Sequence, residues 1–505
     1  MDYLSLLLLA SFVWISIQIL ISKRLLGIKT PRSLKLPPGP NPFPIIGNIL
    51  ELSNQPHQAL AKLSQTYGPI MTLKLGNITT IVISSPQLAK EVLHKNDLIF
   101  SYRTVPDTLK VLDHHIHSVG WMQPSPLWRT LRKVCATKVF SSQQLDSTQI
   151  IRQRKLKELA DFVKEKSEKG EILDINEAIF ITVLNSMSST LFSMNLVNFG
   201  GSKSQEFKEI VCGITEEAAK PNVVDFFPIL RIFDPQGARA RMTKHFRKII
   251  NIFDGIVEER LRLRALEMDT KEYKDVLDYL LEVMLEENSQ ISRIHVLHLL
   301  LDLFVAGLDT TSITIEWAMA ELLRNPEKMQ KLKEELEHVL GKDEKQIEES
   351  HISNLPFLGA VVKETLRFHT PIPFLLPHKS QEDVELCGFT VPKNAQVWVN
   401  VWAMGRDSGI WTNPNEFMPE RFLESKIDFK GQDFELIPFG AGRRICPGLP
   451  LAYRTIHIVL GTLVHGYDWK LVNGQKAKDL DMSENFGLTL HKAQSLQAIP
   501  IKTQH

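Results

Sequence analysis

The stretch Pro438-Phe-Gly-Ala-Gly-Arg-Arg-Ile-Cys-Pro-Gly448 sets a single cysteine, Cys446, among three glycines and behind two arginines. The glycines let the backbone turn tightly and approach a flat ligand closely. Pro447 suits the first turn of a helix, which we predict to continue over Leu449–Gly466. Cys446 would then stand just before a helix N-terminus, where amide donors and the helix dipole favour a metal-binding thiolate. Arg444 is placed to meet an anionic group carried by whatever holds the metal.

Composition narrows the class of protein. The chain has 505 residues, with 59 Lys and Arg against 58 Asp and Glu, so its formal net charge is +1. This balance argues against a nucleic-acid partner, which would need a basic surface. The cysteines are far apart and form no Cys-x-x-Cys pair, which argues against a zinc or iron–sulfur site and fits a reducing compartment. They are Cys135, Cys212, Cys387 and Cys446.

The N-terminal region predicts a membrane anchor followed by a linker. Residues Tyr3–Ser22 are mostly apolar and uncharged, and about 20 such residues cross a bilayer. The basic residues that follow place this flank in the cytosol. A cleaved signal peptide is the alternative, but Asp2 and the lack of a small-residue cleavage site argue against it. Because the proline cluster Leu36–Pro40 stiffens a linker, we expect an anchor over 3–22, a basic flank and hinge over 23–40, and one large domain over 41–505.

Periodicity beyond the hinge predicts a mainly α domain with a small β portion. Apolar residues recur at three- and four-residue spacing from about residue 86 to 380, which is typical of helices. Shorter β-rich runs bounded by turn residues flank this region. The predicted β runs are Met71–Leu75, Thr79–Ser84, Val384–Val401, Phe486–Leu490 and Leu496–Ile501.

The segment Leu297–Leu323 predicts a long buried helix with polar residues at its centre. Its middle reads Ala306-Gly-Leu-Asp-Thr-Thr311, and an unpaired buried Asp or Thr is costly. Considered alone, Thr310 bonding back to a carbonyl and a locally paired or exposed Asp309 would explain the pattern. The functional alternative is a proton relay, in which Asp309 brings protons from solvent and Thr310 holds a hydroxyl near bound oxygen. Gly307 would leave room for a flat cofactor.

Two further pairs have helical spacing. Glu364 and Arg367 lie three apart on one face of a helix with apolar flanks, which indicates partial burial. Trp128 and Arg132 lie four apart, and alone they predict a core tryptophan beside a solvated arginine.

Together these motifs resemble the cytochrome P450 family. Residues 439–448 match the ten-residue signature Phe-x-x-Gly-x-Arg-x-Cys-x-Gly of its haem-thiolate loop, and four family motifs follow one another in order within residues 36–503. Finer sequence runs are similar to plant microsomal enzymes of the group that contains geraniol 8-hydroxylase. The sequence is least like the family at Trp121–Pro124, in a region that usually lies near substrate.

The resemblance implies the cytochrome P450 fold and a haem b cofactor, iron protoporphyrin IX with an axial thiolate. It implies that Cys446 binds the iron, that Asp309 and Thr310 manage proton delivery, and that Glu364, Arg367 and Arg421 form a network supporting the haem loop. The residues that it implies for cofactor binding are Trp128, Arg132, His378, Phe439, Arg444, Cys446 and Gly448.

The resemblance also implies a membrane-anchored monooxygenase of the endoplasmic reticulum, single-pass, with its catalytic domain in the cytosol. It would use O2 and electrons from an NADPH–cytochrome reductase, because no nucleotide-binding glycine motif follows a strand. The expected substrate is a small lipophilic plant metabolite, with a terpenoid such as the monoterpenoid alcohol geraniol favoured. We expect its contacts from Val105–Trp121, Ala306, Ile372–Leu376 and Phe486–Leu488.

Four alternatives stay open at this point. The substrate could be phenolic or diterpenoid. The protein could instead be a haem-thiolate isomerase or dehydratase that needs no reductase, although Asp309-Thr310 argues against this. It could also be a non-catalytic haem-binding membrane protein.

Overall fold

The computed structural model describes residue 12 and residues 35–199, 201–266, 275–341 and 346–503. The predicted anchor over 3–22, apart from Phe12, and most of the basic flank lie outside the described residues. Within them, one helix, Arg293–Arg324, is long and apolar enough to cross a membrane. Because 72% of its most apolar window is buried inside the protein, it is a core helix of the domain.

Helices dominate the described part of the chain. They are α1 Pro56–Tyr67, α2 Pro86–Lys90, α3 Asp97–Phe100, α4 His114–His117, α5 Pro126–Val134, α6 Ser142–Ser147, α7 Gln149–Lys169, α8 Ile175–Phe192, α9 Ser202–Ala219, α10 Val223–Phe226, α11 Ala238–Ala265, α12 Val276–Leu285, α13 Arg293–Arg324, α14 Pro326–Leu340, α15 Pro356–Phe368, α16 Val401–Met404 and α17 Leu449–Val464.

The strands are short and lie mostly near the two ends of the domain. They are β1 Ile70–Leu75, β2 Ile78–Ile83, β3 Tyr102–Arg103, β4 Leu173–Asp174, β5 His378–Lys379, β6 Val384–Leu386, β7 Phe389–Val391, β8 Gln396–Val399, β9 Tyr467–Leu471, β10 Glu484–Phe486, β11 Leu490–Lys492 and β12 Gln497–Lys502.

A five-stranded mixed sheet in the order β1-β2-β8-β5-β3 contains the largest β portion. β2 and β8 pair in parallel, and the other neighbours pair antiparallel. A second sheet has the order β4-β12-β9, and β6-β7 and β10-β11 are hairpins. The short pairing of β3 with β5 sets Arg103 opposite His378, which brings two distant parts of the chain to one place.

Helix α13 runs through the centre of the helical core. It packs against α8, α11, α15 and α17, and nearly every residue from Leu308 to Leu323 is buried. It ends at Arg324 because Pro326 disfavours a helical conformation for the residue before it. Helix α17 follows the cysteine loop directly, with Pro450 in its first turn, and its second half is fully buried. These two helices thus bound the space beside Cys446.

The predicted mainly α fold with a small β portion is confirmed, with small shifts at the element ends. The single strand predicted over Phe486–Leu490 is wrong, because the chain reverses there: Phe486 ends β10 and Leu490 begins β11. Gly487, which the prediction placed inside that strand, lies in the turn. The helix predicted over Leu449–Gly466 ends two residues earlier, at Val464.

Candidate active site

A cavity of about 310 Å³ lies between α13 and the cysteine loop, residues 438–448. Its lining is mostly apolar and includes Cys446 on one side and Ala306, Asp309 and Thr310 of α13 on the other. The sequence thus predicted two segments whose residues Thr310 and Cys446 are 136 positions apart, and the fold brings both to one cavity.

The cysteine loop is shaped by glycines and by its own backbone. Gly440 and Gly442 have φ of +70° and +64°, which favour glycine. A Cβ on Gly442 would collide with the carbonyl oxygen of Leu93, so glycine is also required there by space. Gly448 has an ordinary φ of −83° and serves as the N-cap of α17, near the sulfur. The Cys446 amide donates to the carbonyl of Phe439 across the loop, at 2.9 Å.

The sulfur of Cys446 receives the amide donors that the sequence predicts, from Gly448 and Leu449. Burial nevertheless raises the pKa of the Cys446 thiol, and it outweighs these amides and the nearby Arg132. A thiolate here therefore needs a cation as a direct partner. No group of three or more His, Cys, Asp or Glu side chains in the described residues is arranged to hold a metal ion, so Cys446 suits a metal that arrives inside a cofactor.

Three arginines line the cavity without a carboxylate partner. Arg444 donates to the carbonyls of Ser101 at 2.8 Å, Val119 at 3.3 Å and Met122 at 2.5 Å. Arg132 donates to the carbonyl of Ile445 at 2.8 Å. Arg103 donates to the carbonyls of Gly120 at 3.3 Å and Leu376 at 2.7 Å. Within the described residues, none of these three arginines forms an ion pair with an acidic side chain.

The electrostatics of these arginines favour a negative charge beside them. Burial, and after it the positive charge of the neighbouring Arg132, lower the pKa of Arg444 to about 9. Burial, then repulsion by Arg444 and Arg132, lowers the pKa of Arg103 well below its ordinary value. Uncompensated buried charge is costly, so the cavity favours an anionic ligand. A haem, with two carboxylates on an apolar ring, fits both this arginine cluster and the lone cysteine.

Trp128 lies behind the wall of the cavity and is not part of its lining. Its indole N–H donates to the carbonyl of Val119 at 3.1 Å, and the guanidinium of Arg444 lies 4.2 Å from the centre of its ring. The Trp128 ring thus packs against Arg444. Of the predicted cofactor-binding residues, six line the cavity: Arg132, His378, Phe439, Arg444, Cys446 and Gly448.

His378 lines the cavity beside Arg103 and is neutral. Its Nδ1–H donates to the carbonyl of Phe100 at 2.7 Å. Burial lowers the pKa of His378 well below its ordinary value, and Arg103 and Arg444 lower it further. A neutral ring that carries its proton on Nδ1 has a hydrogen-bond acceptor at Nε2. In this arrangement the hydrogen-bond donors for an anionic ligand would come from Arg103 and not from His378.

The sequence analysis missed Arg103. Its place at the cavity depends on the β3–β5 pairing and on Gln123, whose side chain accepts from the Arg103 amide at 3.0 Å and donates to its carbonyl at 3.1 Å. The available signal was an arginine three residues after the apolar run Leu98–Phe100; in the fold Arg103 is 5% exposed. Gln123 belongs to the stretch Trp121–Pro124, which is unusual for the family.

Asp309 and Thr310 differ in how they are held on α13. The Thr310 hydroxyl donates back to the carbonyl of Ala306 at 2.7 Å, which is the bond expected if the residue had only a structural role. Thr310 nevertheless also lines the cavity. Asp309 is 2% exposed and its Oδ2 accepts from the hydroxyl of Thr489 at 2.6 Å. A Cβ on Gly307 would meet Met187 of α8 at 2.7 Å, so this glycine serves a close helix crossing as well as the cavity wall.

The expected support network is present next to the site. Arg367 forms two hydrogen bonds of 2.7 Å to the two oxygens of Glu364, and both side chains are fully buried. Arg421 reaches the same carboxylate at 3.1 Å, and the amide of Met418 donates to it at 2.7 Å. Arg367 also donates to carbonyls of Gly405, Pro414 and Glu416, so it ties α15 to the segment before the cysteine loop.

Most of the expected substrate contacts line the cavity, with one correction. Leu109, His114 and Val119–Trp121 represent the first loop, and Ala306, Ile372, Leu375, Leu376 and Leu488 also take part. Phe486 does not, because it belongs to β10 and its ring stacks on His57 on another side, 5.5 Å between centres. The sequence analysis missed the contributions of α8, α9 and α11, namely Val183, Ser186, Met187, Ile214, Thr215, Ala218 and Phe246.

Comparisons with known proteins agree with this arrangement. The family model "Cytochrome P450" matches residues 37–496. The chain is 52% identical over 469 residues to geraniol 8-hydroxylase of Catharanthus roseus, covering 93% of this chain and 94% of the relative. It is 46% identical over 471 residues to ferruginol synthase of Salvia fruticosa, covering 93% and 95%. A solved zebra fish cytochrome P450 with progesterone has a TM-score of 0.75 at 26% identity, covering 89% of this chain and 99% of that one.

The family match spans most of the chain, and the cysteine loop, the arginine cluster and the α13 segment meet at one cavity. Members of this family bind iron protoporphyrin IX through a thiolate and use O2, a redox partner and small substrates. The chain therefore belongs to the cytochrome P450 family and is a haem-thiolate monooxygenase.

Proposed function

We propose that Cys446 is the axial ligand of the haem and that Arg103, Arg132 and Arg444 hold its two carboxylates. This assignment is supported by the three cavity-lining guanidinium groups, which form no ion pair with an acidic side chain in the described part of the chain. Trp128 holds Arg444 in place, and Phe439 and Gly448 shape the loop around the sulfur. The bound haem supplies O2 activation and the insertion of one oxygen atom into a substrate C–H bond.

The protein's own part in the reaction is to orient the substrate and deliver protons. Thr310 gives its hydroxyl proton to Ala306, which leaves the oxygen lone pairs facing the cavity as acceptors. Asp309 lines the same cavity and carries the titratable carboxyl group. We propose that Asp309 supplies protons to the cavity and that Thr310 orders the groups that receive them.

The favoured substrate is a small terpenoid, most specifically a monoterpenoid alcohol such as geraniol. The observation that carries this proposal is the apolar wall of the cavity on the side contributed by Leu109, Val183, Ile214, Phe246 and Leu488. The 52% identity to a geraniol 8-hydroxylase supports the same choice. A larger terpenoid is the second candidate, supported by the 46% identity to a ferruginol synthase.

The test is a substrate screen with the full chain. Microsomes that contain the protein and a plant NADPH–cytochrome reductase are incubated with NADPH, O2 and a panel of geraniol, diterpenoids and simple phenols. We expect NADPH-dependent hydroxylation of geraniol at a higher kcat/KM than any other panel member. Faster turnover of a diterpenoid or phenol would show that geraniol is not the preferred substrate. Turnover of geraniol without NADPH and O2 would show that the reaction on geraniol is not a monooxygenation.

A cysteine substitution tests the proposed ligand. Cys446→Ser should abolish hydroxylation and the thiolate-type absorption of the reduced carbon monoxide complex. Cys135→Ser is the matched control, because Cys135 is buried, its thiol pKa is raised to about 12, and it does not line the cavity. If the Cys446→Ser protein kept both properties, another residue would hold the iron.

We further propose that residues 3–22 anchor the chain in the endoplasmic reticulum membrane, with the domain over 41–505 in the cytosol. Support comes from exposed apolar side chains near the start of that domain: Ile229, Ile232 and Phe233 are 75–89% exposed. Their segment adjoins the β1–β2 turn through the Asn77 amide and Phe226 carbonyl, 3.2 Å apart. Residues 43–50, which include exposed Leu50, flank the same turn. This apolar patch would contact the bilayer beside the anchor.

Flotation with liposomes tests the membrane contact. A chain lacking residues 1–34 should still bind vesicles, and Ile232→Asp with Phe233→Asp should remove most of that binding. Leu285→Asp is the control and should leave binding unchanged. Leu285 is an exposed apolar residue like Ile232 and Phe233, but it lies at the end of α12. Equal binding by all variants would contradict the proposed contact.

Electrons would come from an NADPH–cytochrome reductase docking on the cysteine side of the domain. Arg129 and Lys133 of α5, Lys138 and Arg443 are all exposed there, and Arg132 ties α5 to the cysteine loop. A basic face of this kind attracts an acidic partner, with a rate that falls as salt rises. Charge-reversing substitution of Lys133 and Arg443 together should lower the rate of reduction by the reductase at low salt.

A further inference from the structure

A hydrogen-bonded triangle joins Asp309 to the C-terminal hairpin β10-β11. Asp309 Oδ2 lies 2.6 Å from Thr489 Oγ1 and 3.4 Å from His491 Nε2. Thr489 Oγ1 and His491 Nε2 lie 3.0 Å apart. The buried acid of the cavity is thus linked to a histidine that the sequence analysis did not consider.

The direction of these hydrogen bonds follows from the number of protons available. A threonine hydroxyl has one proton, and Thr489 gives it to the Asp309 carboxylate. The Thr489 oxygen can then only accept from His491, so the histidine carries its proton on Nε2. The chain of donors runs from His491 through Thr489 to Asp309.

The two ends of this chain face different surroundings. Asp309 and Thr489 line the cavity, whereas His491 does not. The His491 side chain is 25% exposed, and that of Asp309 is 3% exposed. Solvent therefore reaches the histidine end, and the cavity is at the carboxylate end.

The hairpin is fixed to α13 and its neighbours, so this geometry is part of the fold. The Trp317 indole of α13 donates to the carbonyl of Leu490 at 3.0 Å, between the two relay residues Thr489 and His491. The Leu490 amide donates to the carbonyl of Pro371 at 2.9 Å. These bonds hold Thr489 and His491 in register with Asp309.

The charges around His491 favour its protonated form. Burial lowers the pKa of His491, but Asp309, Glu316 and Glu216 together raise it above the ordinary value. Lys492, beside it in β11, interacts with Glu316 in turn. Cys212 of α9 faces Asp309 as a neutral thiol, because burial raises its pKa to about 12.

We propose that His491 is the proton donor that recharges Asp309 through the hydroxyl of Thr489. The His491 Nε2–H bond breaks as a new Thr489 O–H bond forms, and the original Thr489 proton passes to Asp309 Oδ2. The imidazolium becomes neutral imidazole and takes a proton from solvent. This inference rests on the proposed role of Asp309 as the proton source of the cavity.

The experiment separates charge, hydrogen bonding and proton transfer at position 491. Full-length protein with its reductase is assayed for product formed per NADPH oxidised, for hydrogen peroxide release, and for the solvent deuterium isotope effect. His491→Gln keeps a hydrogen-bond donor, and His491→Arg keeps a charge, but neither passes a proton at neutral pH. Thr489→Val breaks the relay and Thr489→Ser keeps it. His338→Gln, at an exposed position on α14, is the control.

We expect about a tenfold loss of product per NADPH in His491→Gln, His491→Arg and Thr489→Val. This is smaller than the usual contribution of a general acid to the rate, about 100-fold or more. Hydrogen peroxide release and the isotope effect should rise. His338→Gln should behave as the unaltered protein, and Thr489→Ser, which keeps the hydroxyl, should restore most of the coupling that Thr489→Val loses. Turnover supported by added hydrogen peroxide should be unchanged in all five, because peroxide brings its own protons.

Asp309→Asn distinguishes this inference from the function on which it rests. If Asp309→Asn loses coupling while the His491 and Thr489 variants keep it, the proposed donor is wrong and Asp309 stays the proton source. If Asp309→Asn keeps full coupling, the role of Asp309 itself fails. A second readout needs no turnover: the ¹⁵N resonance assigned to His491 should titrate above pH 6.5, and lower in Asp309→Asn. A titration below 6.5 would also overturn the proposal.

Discussion

Two groups of arginines, one between α15 and residues 405–416 and one at the cavity, differ in the source of their negative charge. Arg367 meets the Glu364 carboxylate in two 2.7 Å hydrogen bonds, and both side chains are 0% exposed. Among the residues that the structure describes, the hydrogen bonds of the Arg132 and Arg444 side chains all go to backbone carbonyls. A buried guanidinium needs a counter-charge, so we expect the first group to stabilise the fold and propose that the second binds the carboxylates of the cofactor. Whether an arginine stabilises the fold or binds a ligand is therefore better indicated by its partner than by its burial.

The largest effect should come from removing the internal counter-charge. Glu364→Gln keeps the shape but leaves Arg367 and Arg421 without a carboxylate, which should cost about 3–5 kcal/mol of unfolding free energy, measured with urea. Glu420→Gln is the control, because Glu420 is 37% exposed and pairs with Lys328 and Lys331 only at 3.4 Å. It should cost about 1 kcal/mol or less. Equal losses would contradict the comparison.

Removing an arginine of the unpaired group should affect the cofactor more than the fold. Arg444→Met should weaken haem binding roughly 10- to 100-fold, since a hydrogen bond to a charged group contributes about 1.5–3 kcal/mol. Haem transfer to apomyoglobin measures this. The neighbouring Arg443 is 53% exposed and pairs with Asp97, so Arg443→Met should retain haem. Similar haem loss in both variants would mean that Arg444 does not bind the cofactor.

A third prediction uses pH to test another buried carboxylate that pairs with groups of the protein itself, Glu484. Burial raises the pKa of Glu484, but a 2.9 Å hydrogen bond with His57 and the charge of Arg406 lower it to about 2. Because the folded-state pKa lies below the ordinary 4.5, this carboxylate stabilises the protein above pH 4.5 and stops doing so as the pH falls toward 2. Glu484→Gln should cost about 1.5 kcal/mol at pH 6.

Urea unfolding at successive pH values checks this prediction. The difference between Glu484→Gln and the unaltered protein should shrink steadily below pH 4.5. A difference that stays constant from pH 6 to pH 3 would show that Glu484 contributes shape and no charge.

The smallest effect should come from Trp128, which supports an arginine of the unpaired group. Trp128→Phe loses the N–H donated to Val119 and should cost about 1 kcal/mol of unfolding free energy, with haem affinity nearly unchanged. Trp469→Phe is the control, because its indole donates to the Leu463 carbonyl at 2.9 Å far from the cavity. Haem loss as large as in Arg444→Met would instead mean that Trp128 binds the cofactor directly.

The sequence predicted the parts of the site whose residues lie close together along the chain. The cysteine loop, Asp309-Thr310 and the Glu364–Arg367 pair depend on spacings of one to ten residues, which a turn or a helix fixes. Arg103 was missed because its position depends on pairing with His378, 275 residues away. Thr489 and His491 were missed for the same reason, since they meet Asp309 across 180 residues or more.

The predicted strand over Phe486–Leu490 failed for a related reason. A run of apolar residues around a glycine is compatible with a strand or with a hairpin turn, and only packing decides between them. Here the Trp317 indole and the Pro371 carbonyl hold Leu490 as the start of a separate strand. That reversal is also what brings Thr489 to Asp309.

The contact between Gly442 and the carbonyl of Leu93 has a consequence for redesign of the protein. The loop that positions the sulfur presses directly on the backbone of residues 91–95, with no side chain between them to absorb movement. We therefore expect substitutions that shift this segment, although it does not line the cavity, to move Gly442 and with it the loop that carries Cys446. Substitutions at residues 91–95 are therefore a way to adjust the reduction potential of the iron without altering the residues that line the cavity.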